Sequence, residues 1–318
     1  MIMKVFITRK LPGEPEKLLK KNGFKVSVYK EDKAIPRDEF LKQSKDADAI
    51  LSLLTEKIDK EAIDNFSKCK IVANCAVGYN NIDVAYAKVR KLVVTNTPYV
   101  LTDATADLTV ALILACARRL REGEQMMREN KFDGWKPNML LGFDLKGKTV
   151  GIIGAGRIGR AAARRLKGFG VKIIYFDRKK RDEFETEFLS TRVNLKELMK
   201  KSDIISVHLP FSKETHHFLN KENLSLMKKT AVIVNTSRGE IIEEKALIKL
   251  LKQKKIFAAG FDVYENEPNI NPELRTLDNV FLLPHIGSAT VETRAAMALL
   301  AANNILNVLN GKEPITPV

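Results

Sequence analysis

Long apolar runs, cysteine pairs and metal-ligand spacings are all missing from this sequence, and each absence removes a class of protein. The most apolar stretch, Leu108 to Ala117, is closed by Asp107 on one side and Arg118-Arg119 on the other. Ten residues fall well short of the roughly 20 that a membrane-crossing helix needs, so the stretch is read as a buried core helix and no membrane partner is expected. The three cysteines, Cys69, Cys75 and Cys116, include no Cys-x-x-Cys pair. That suits a reducing cytoplasm, which is the expected location, better than a disulfide framework. Neither cysteine nor histidine spacing supplies a zinc site, so no metal is expected. The N-terminus runs directly into a strand-like Lys-Val-Phe-Ile-Thr without the layout of a secretory signal. Negative charge is also scarce: 54 lysines and arginines face 39 acids, for a net charge of +15. Cations are spread along the chain with no nucleic-acid motif beside them, so they are read as a solvated surface and no nucleic-acid partner is expected.

What is present is an ordinary globular composition, 45% hydrophobic over 318 residues, enough for two domains. Short apolar strands are expected at Lys4–Thr8, Lys25–Tyr29, Ala49–Leu53, Ile71–Asn74 and Leu92–Thr95, with amphipathic segments such as Glu14–Asn22 and Lys60–Phe66 between them. The alternation implies a parallel sheet covered by helices. Thr97-Pro98 interrupts it. One long helix is expected from Thr102 to about Asn130, followed by six further strands at Thr149–Ile153, Lys172–Phe176, Ile204–Val207, Ala231–Asn235, Ala258–Phe261 and Val280–Leu283. Six strands with intervening helices match a complete doubly wound α/β domain. A closing helix runs from about Thr290 to Leu309. The expected division is therefore a dinucleotide-binding domain over 98–287, inserted into a substrate domain made of 1–97 and 288–318. Ligand sites are favoured in the cleft such an arrangement leaves.

The first strand of the middle domain ends in Gly154-Ala155-Gly156-Arg157-Ile158-Gly159. A bare Gly-x-Gly-x-x-Gly is weak evidence, but here a buried strand pattern precedes it and a helix pattern follows. Gly154 suits the tight turn, Gly156 the approach of backbone to a pyrophosphate, and Gly159 close helix–strand packing. The helix start then offers its amides to phosphate. Asp177 follows Gly159 by 18 residues at the end of a strand pattern, where a carboxylate accepts from ribose hydroxyls and repels a 2′-phosphate. NAD is favoured; the adjacent Arg178–Arg181 run could hold the extra phosphate of NADP if Asp177 turned aside.

Three later segments each end an expected strand: Asn235-Thr236-Ser237-Arg238-Gly239, Asp262-Val-Tyr-Glu-Asn-Glu267-Pro268 and Pro284-His285-Ile286-Gly287. Strand ends in a doubly wound sheet face the ligand crevice. The fork of Arg238 can bind a carboxylate bidentately. His285 can pass a proton to a carbonyl oxygen near neutral pH, and Glu267 can orient its ring. Taken singly, each has a duller explanation in a salt bridge, a loop carboxylate or a packed histidine; together they suit reduction of a 2-oxo acid.

In these segments, matched in order and spacing, the chain resembles the D-isomer-specific 2-hydroxyacid dehydrogenases over nearly its whole length. The resemblance implies a Rossmann cofactor domain beside a flavodoxin-like α/β substrate domain. It implies that Arg238 binds the substrate carboxylate, His285 is the acid/base, Glu267 tunes it, and Asp262 hydrogen-bonds the nicotinamide amide. The implied cofactor set is Gly154, Gly156, Arg157, Ile158, Gly159, Asp177, Arg178, Thr236, Asp262, His285 and Gly287. In the first domain, Ala76-Val77-Gly78-Tyr-Asn-Asn-Ile-Asp83 is the matching substrate element, with backbone amides at Val77 and Gly78 facing the carboxylate in a turn that favours glycine. The run Thr97-Pro-Tyr-Val-Leu-Thr-Asp and the segment starting Trp135-Lys-Pro look most like glyoxylate/hydroxypyruvate reductases. In those, the matching tryptophan lies at a homodimer interface and reaches the neighbour's site, although a lone tryptophan is more often simply packed. Many of them prefer NADPH and lack an acid at the Asp177 position. Three other readings stand beside a reductase: D-3-phosphoglycerate or D-lactate dehydrogenase with the same machinery, an NAD-sensing corepressor-like interaction protein, and nucleic-acid binding through the charge.

Overall fold

The structure is a computed structural model and describes residues 2–318. The chain divides into two compact units, residues 1–101 with 288–318, and residues 102–287.

The first unit alternates β1 (Lys4–Ile7), α1 (Pro15–Lys21), β2 (Lys25–Val28), α2 (Arg37–Ser44), β3 (Ala49–Ser52), α3 (Lys60–Asn65), β4 (Ile71–Asn74), α4 (Val84–Val89) and β5 (Val93–Thr95). All five strands are parallel, in the order β2-β1-β3-β4-β5. That is the flavodoxin-like order. The strands lie within one residue of the expected segments because β3 and β4 are buried along their whole length, where an unbroken apolar run marks a strand covered on both faces. Phe6, Phe40, Ile50, Ile58, Val72 and Val94 form its core.

The second unit opens with α5 (Thr102–Ala117) and α6 (Leu120–Arg128). A single long helix was expected here, and the structure corrects it. Arg119 adopts φ +52°, a left-handed turn that ends one helix and starts the next. The segment Gly142–Phe143 then crosses the end of α5, where the Phe143 amide caps the Ala117 carbonyl at 3.1 Å. A β-carbon on Gly142 would lie 2.1 Å from that carbonyl oxygen, so this crossing requires glycine. The apolar stretch inside α5 is a core helix, and among the described residues no helix is long and apolar enough to cross a membrane.

The rest of this unit is β6 (Thr149–Ile153), α7 (Arg157–Lys167), β7 (Lys172–Phe176), α8 (Asp182–Phe188), β8 (Thr191–Arg192), α9 (Leu195–Lys201), β9 (Ile204–Val207), α10 (Lys221–Leu224), β10 (Val232–Asn235), α11 (Glu244–Lys252), β11 (Ala258–Phe261), α12 (Pro272–Arg275) and β12 (Val280–Leu282). The strands form one parallel sheet in the order β12-β11-β10-β9-β6-β7-β8. Six strands were expected. The seventh, β8, is two exposed residues paired with Ile174 and Tyr175, too short to leave a periodic signature. One face of the sheet packs on α9 and α11 through Leu198, Leu247 and Leu251; the other packs on α5, α7 and α8 through Ile113, Leu166 and Phe184. Ala106, Ala161 and Ala162 let α5 and α7 approach closely. The order reverses at β6, whose neighbours are β7 and β9, and such a switch point opens a crevice at the carboxyl ends of the strands. The chain finishes in the first unit with α13 (Val291–Leu309), capped by Thr290 Oγ1 accepting from the Thr293 amide at 3.1 Å.

Candidate active site

The carboxyl end of β6 carries the glycine turn at the switch point. Gly154 has φ +97°, and a β-carbon there would press on the His208 carbonyl at 2.7 Å. A β-carbon on Gly159 would lie 2.1 Å from the Gly154 oxygen. Gly156 is different: nothing lies within 4 Å of where its β-carbon would be. Two glycines are thus imposed by the protein's own packing, whereas the third keeps space open in front of the backbone. Gly156 also starts α7 and offers no side-chain cap to its first turn. Arg157 is exposed there, and Ile158 is half-buried. An open cradle at an uncapped helix start fits a pyrophosphate.

Asp177 follows β7 and is buried; one carboxylate oxygen accepts from the Ala155 amide of the glycine turn at 3.2 Å. Its oxygens also face the Arg181 guanidinium at 3.3 and 3.4 Å. Arg178 is exposed, and its carbonyl accepts from Arg192 at 2.9 Å. The acid is therefore tied to the turn, with one member of the basic run leaning on it. These residues fit an adenosine ribose beside the pyrophosphate cradle.

The later strand ends supply the charged groups. Asn235 closes β10 and fixes the next turn, accepting from the Ser237 amide at 3.0 Å and donating to the Arg238 carbonyl at 2.8 Å. Thr236 is buried, its hydroxyl 2.8 Å from that of Thr109 on α5. Arg238 donates to the Ser237 carbonyl at 2.7 Å. Burial pushes its guanidinium below the ordinary arginine value, and the charges of Glu267 and Glu240 partly restore it.

Glu267 has one oxygen on the Tyr264 amide at 3.0 Å and the other 2.7 Å from His285 Nδ1. Burial raises its carboxyl, but the His285 bond and charge, the Tyr264 amide and the charge of Arg238 outweigh that and hold it below the usual glutamate value. A carboxylate can only accept, so Nδ1 is the donor and Nε2 is the ring position left for acid/base work. His285 itself has φ +56°, unusual for a side chain of this size.

Asp262 explains how that conformation is held. Buried after β11, it accepts from the Ile286 amide and the Gly287 amide, both at 2.7 Å. Burial raises its carboxyl, against the two amides and the His285 charge. The resemblance gave Asp262 only a contact to nicotinamide. Its grip on the two residues after His285 is a positioning role that sequence reasoning missed, because the partners lie 24 and 25 residues away in the chain.

In the first unit, Val77 and Gly78 follow β4, and side-chain amides hold both carbonyls. Asn96 donates to the Val77 carbonyl at 2.8 Å, and Asn74 to that of Gly78 at 2.9 Å. Trp135 lies in the segment after α6 and is 80% exposed.

Residues 110–287 match the family described as D-isomer specific 2-hydroxyacid dehydrogenase, NAD binding domain. The chain is 49% identical to the glyoxylate reductase of Thermococcus litoralis over 98% of this chain and 95% of that one. It is 47% identical to the glyoxylate reductase of Pyrococcus horikoshii over 99% and 95%. Among solved structures, an NADPH-dependent glyoxylate/hydroxypyruvate reductase from Sinorhizobium meliloti, in complex with NADP and malonate, superposes with a TM-score of 0.87 at 34% identity, over 100% of this chain and 97% of that one. By sequence and by structure alike, the chain belongs to the D-isomer specific 2-hydroxyacid dehydrogenase family.

Proposed function

We propose that the chain is an NAD(P)H-dependent reductase of small 2-oxo acids, glyoxylate or hydroxypyruvate first, forming the D-2-hydroxy acid. The observation that carries this is the 2.7 Å pairing of His285 Nδ1 with Glu267, beside a partly buried Arg238 in the same unit. The naming of close relatives as glyoxylate reductases supports the substrate class.

The bound dinucleotide supplies the hydride. The chain's residues do the rest. Arg238 binds the substrate carboxylate through its fork and polarises the adjacent carbonyl; the Val77 and Gly78 amides are the first unit's own candidate anion contact. His285 delivers a proton from Nε2 to the carbonyl oxygen, while Glu267 holds the ring by Nδ1. Asp262 keeps the His285–Gly287 loop in register. Gly154, Gly156, Arg157, Ile158 and Gly159 would cradle the pyrophosphate, Asp177 would hold the ribose, and Thr236 and Gly287 would complete the set. The tie between Asp177 and the Ala155 amide supports NADH as the preferred donor, since a 2′-phosphate would meet a fixed carboxylate.

The working form is a cytoplasmic homodimer. Helix α6 buries none of its residues, and Leu120, Met127, Phe132, Trp135 and Leu141 lie exposed along and after it. Such a concentration of apolar surface supports a protein partner, here a second copy whose Trp135 reaches the neighbouring site.

A nicotinamide absorbance assay tests the reading, with glyoxylate, hydroxypyruvate, pyruvate and phosphohydroxypyruvate, each with NADH and NADPH. Glyoxylate or hydroxypyruvate should give the highest kcat/KM. NADH should be favoured by about tenfold, the equivalent of roughly 1.4 kcal/mol of charge repulsion. Turnover confined to phosphohydroxypyruvate or pyruvate would move the assignment to the phosphoglycerate or lactate branch.

A further inference from the structure

Two of the four histidines stand side by side at positions 216 and 217, well before His285 in the sequence. Spacing along the sequence showed no metal ligand set because the third donor comes from elsewhere. The fold brings Glu265 to them across 48 residues, and its Oε1 lies 2.7 Å from His217 Nε2. One ligand atom each from His216, His217 and Glu265 fall within 4.8 Å of one another. We propose that His216, His217 and Glu265 form a surface site for a divalent transition ion of the zinc class, with water completing the coordination.

The donor set is appropriate to that class. Imidazole nitrogens suit zinc, nickel and copper, and a carboxylate oxygen is accepted alongside them. Three protein ligands plus water is a common open zinc arrangement, with bonds of about 2.0–2.2 Å. The donors of such a site lie about 3.3 Å apart, so the set must contract by up to about 1.5 Å at its widest pair.

Two of the donors are anchored and the third is exposed. His217 is fixed: its amide donates to the Glu240 carbonyl at 2.8 Å, and its backbone is left-handed at φ +49°. Glu265 is fixed from the other side, next to the buried Tyr264, whose hydroxyl donates to the Leu283 carbonyl at 2.8 Å. His216 is exposed, and its ring stacks on that of His217 at 4.0 Å between centroids. His216, whose ring also meets Phe211 edge-on at 6.2 Å between centroids, is the ligand that would have to rotate to close on the two anchored ones. The ion then takes the place of the hydrogen now shared between His217 and Glu265. This inference needs neither the proposed substrate nor the cofactor.

The test is calorimetric titration of tag-free, chelator-stripped full-length protein with Zn²⁺ alone, and visible absorption of the Co²⁺-substituted protein. The wild type should bind one ion per chain at micromolar concentration and give the intense visible bands of a four-coordinate Co²⁺ centre. His216→Ala changes an exposed side chain and leaves the fold intact; it should weaken binding at least about tenfold. His217→Ala and Glu265→Gln should do the same, whereas His285→Ala should leave the titration unchanged. Saturating Zn²⁺ should raise the wild-type Tm by several degrees and that of His216→Ala by much less. Equal affinity in wild type and His216→Ala, binding lost only in His285→Ala, or no saturable binding below millimolar Zn²⁺ would each overturn the proposal.

Discussion

Both units are parallel sheets built from the same strand–helix alternation, yet they equip their carboxyl edges in opposite ways. The edge of the five-stranded sheet offers backbone: the Val77–Gly78 turn, with each carbonyl held by a neutral side-chain amide. The edge of the seven-stranded sheet offers charge: Arg238 after β10, Glu267 beyond β11 and His285 beyond β12, within a network of carboxylates and amides. A backbone cradle binds an anion without titrating and contributes equally to ground and transition states. A set of titratable side chains can move a proton. In the function proposed above, the difference would separate holding a substrate from transforming it, and substitution on each edge should show the two signatures separately.

The largest effects belong to the charged edge. His285→Ala should lower kcat by about 10²–10⁴-fold, the range for losing a positioned general acid. NADH affinity, followed by nicotinamide fluorescence, should stay within twofold. Turnover within tenfold of wild type would remove His285 from the acid role. Arg238→Ala should reduce kcat/KM for 2-oxo acids by about 10²–10³-fold, as for a lost charge partner of a desolvated carboxylate. For uncharged carbonyl compounds the loss should be small. Equal losses on both substrate types would mean that Arg238 only supports the loop.

Glu267→Gln probes how the charged edge is held. The substitution keeps the shape and removes the charge opposite His285, and should lower kcat about 10–100-fold. Its pH signature follows from the carboxyl, which the His285 bond and charge hold below the ordinary glutamate value. A folded-state value below the unfolded one gives stability that is present above the unfolded value and lost as pH falls through the folded one. Wild type should therefore melt above Glu267→Gln at pH 5, with the margin closing as the pH is taken from there to below about 4. A margin that widens below pH 5 would reverse the assigned direction.

How much of this was legible in the sequence depended on whether the information was local. The glycine turn was legible because strand, turn and helix are contiguous, even though the carbonyl that presses on Gly154 belongs to the distant His208. The strands were legible because parallel strands buried on both faces are short continuous apolar runs. The break at Arg119 was not, since the residue that ends α5 carries no glycine or proline signal and the decisive partner, Gly142–Phe143, comes from farther along the chain. The same reason hid the grip of Asp262 on the His285 loop and the approach of Glu265 to His217. Residue types at strand ends named the reactive set; which carboxylate holds which loop is a property of the folded sheet.

The smallest effect tests the backbone edge. Asn96 is buried, and its own backbone is anchored to the chain terminus: its amide donates to the Thr316 carbonyl at 3.2 Å, and its carbonyl accepts from the Thr316 hydroxyl at 2.7 Å. From that fixed position its side chain orients the Val77 carbonyl. Asn96→Ala removes one neutral hydrogen bond, worth about 0.5–1.5 kcal/mol, and frees the peptide plane that presents the next amide. If that plane cradles the substrate carboxylate, the lost interaction is equal in ground and transition states. KM for a 2-oxo acid should then rise about three- to tenfold, with kcat within twofold of wild type. NADH affinity should not change, because the substitution lies outside the unit that carries the glycine turn. A fall in Tm with KM unaltered would make the Val77–Gly78 segment an ordinary strand-to-helix turn, and the division of labour between the two edges would fail.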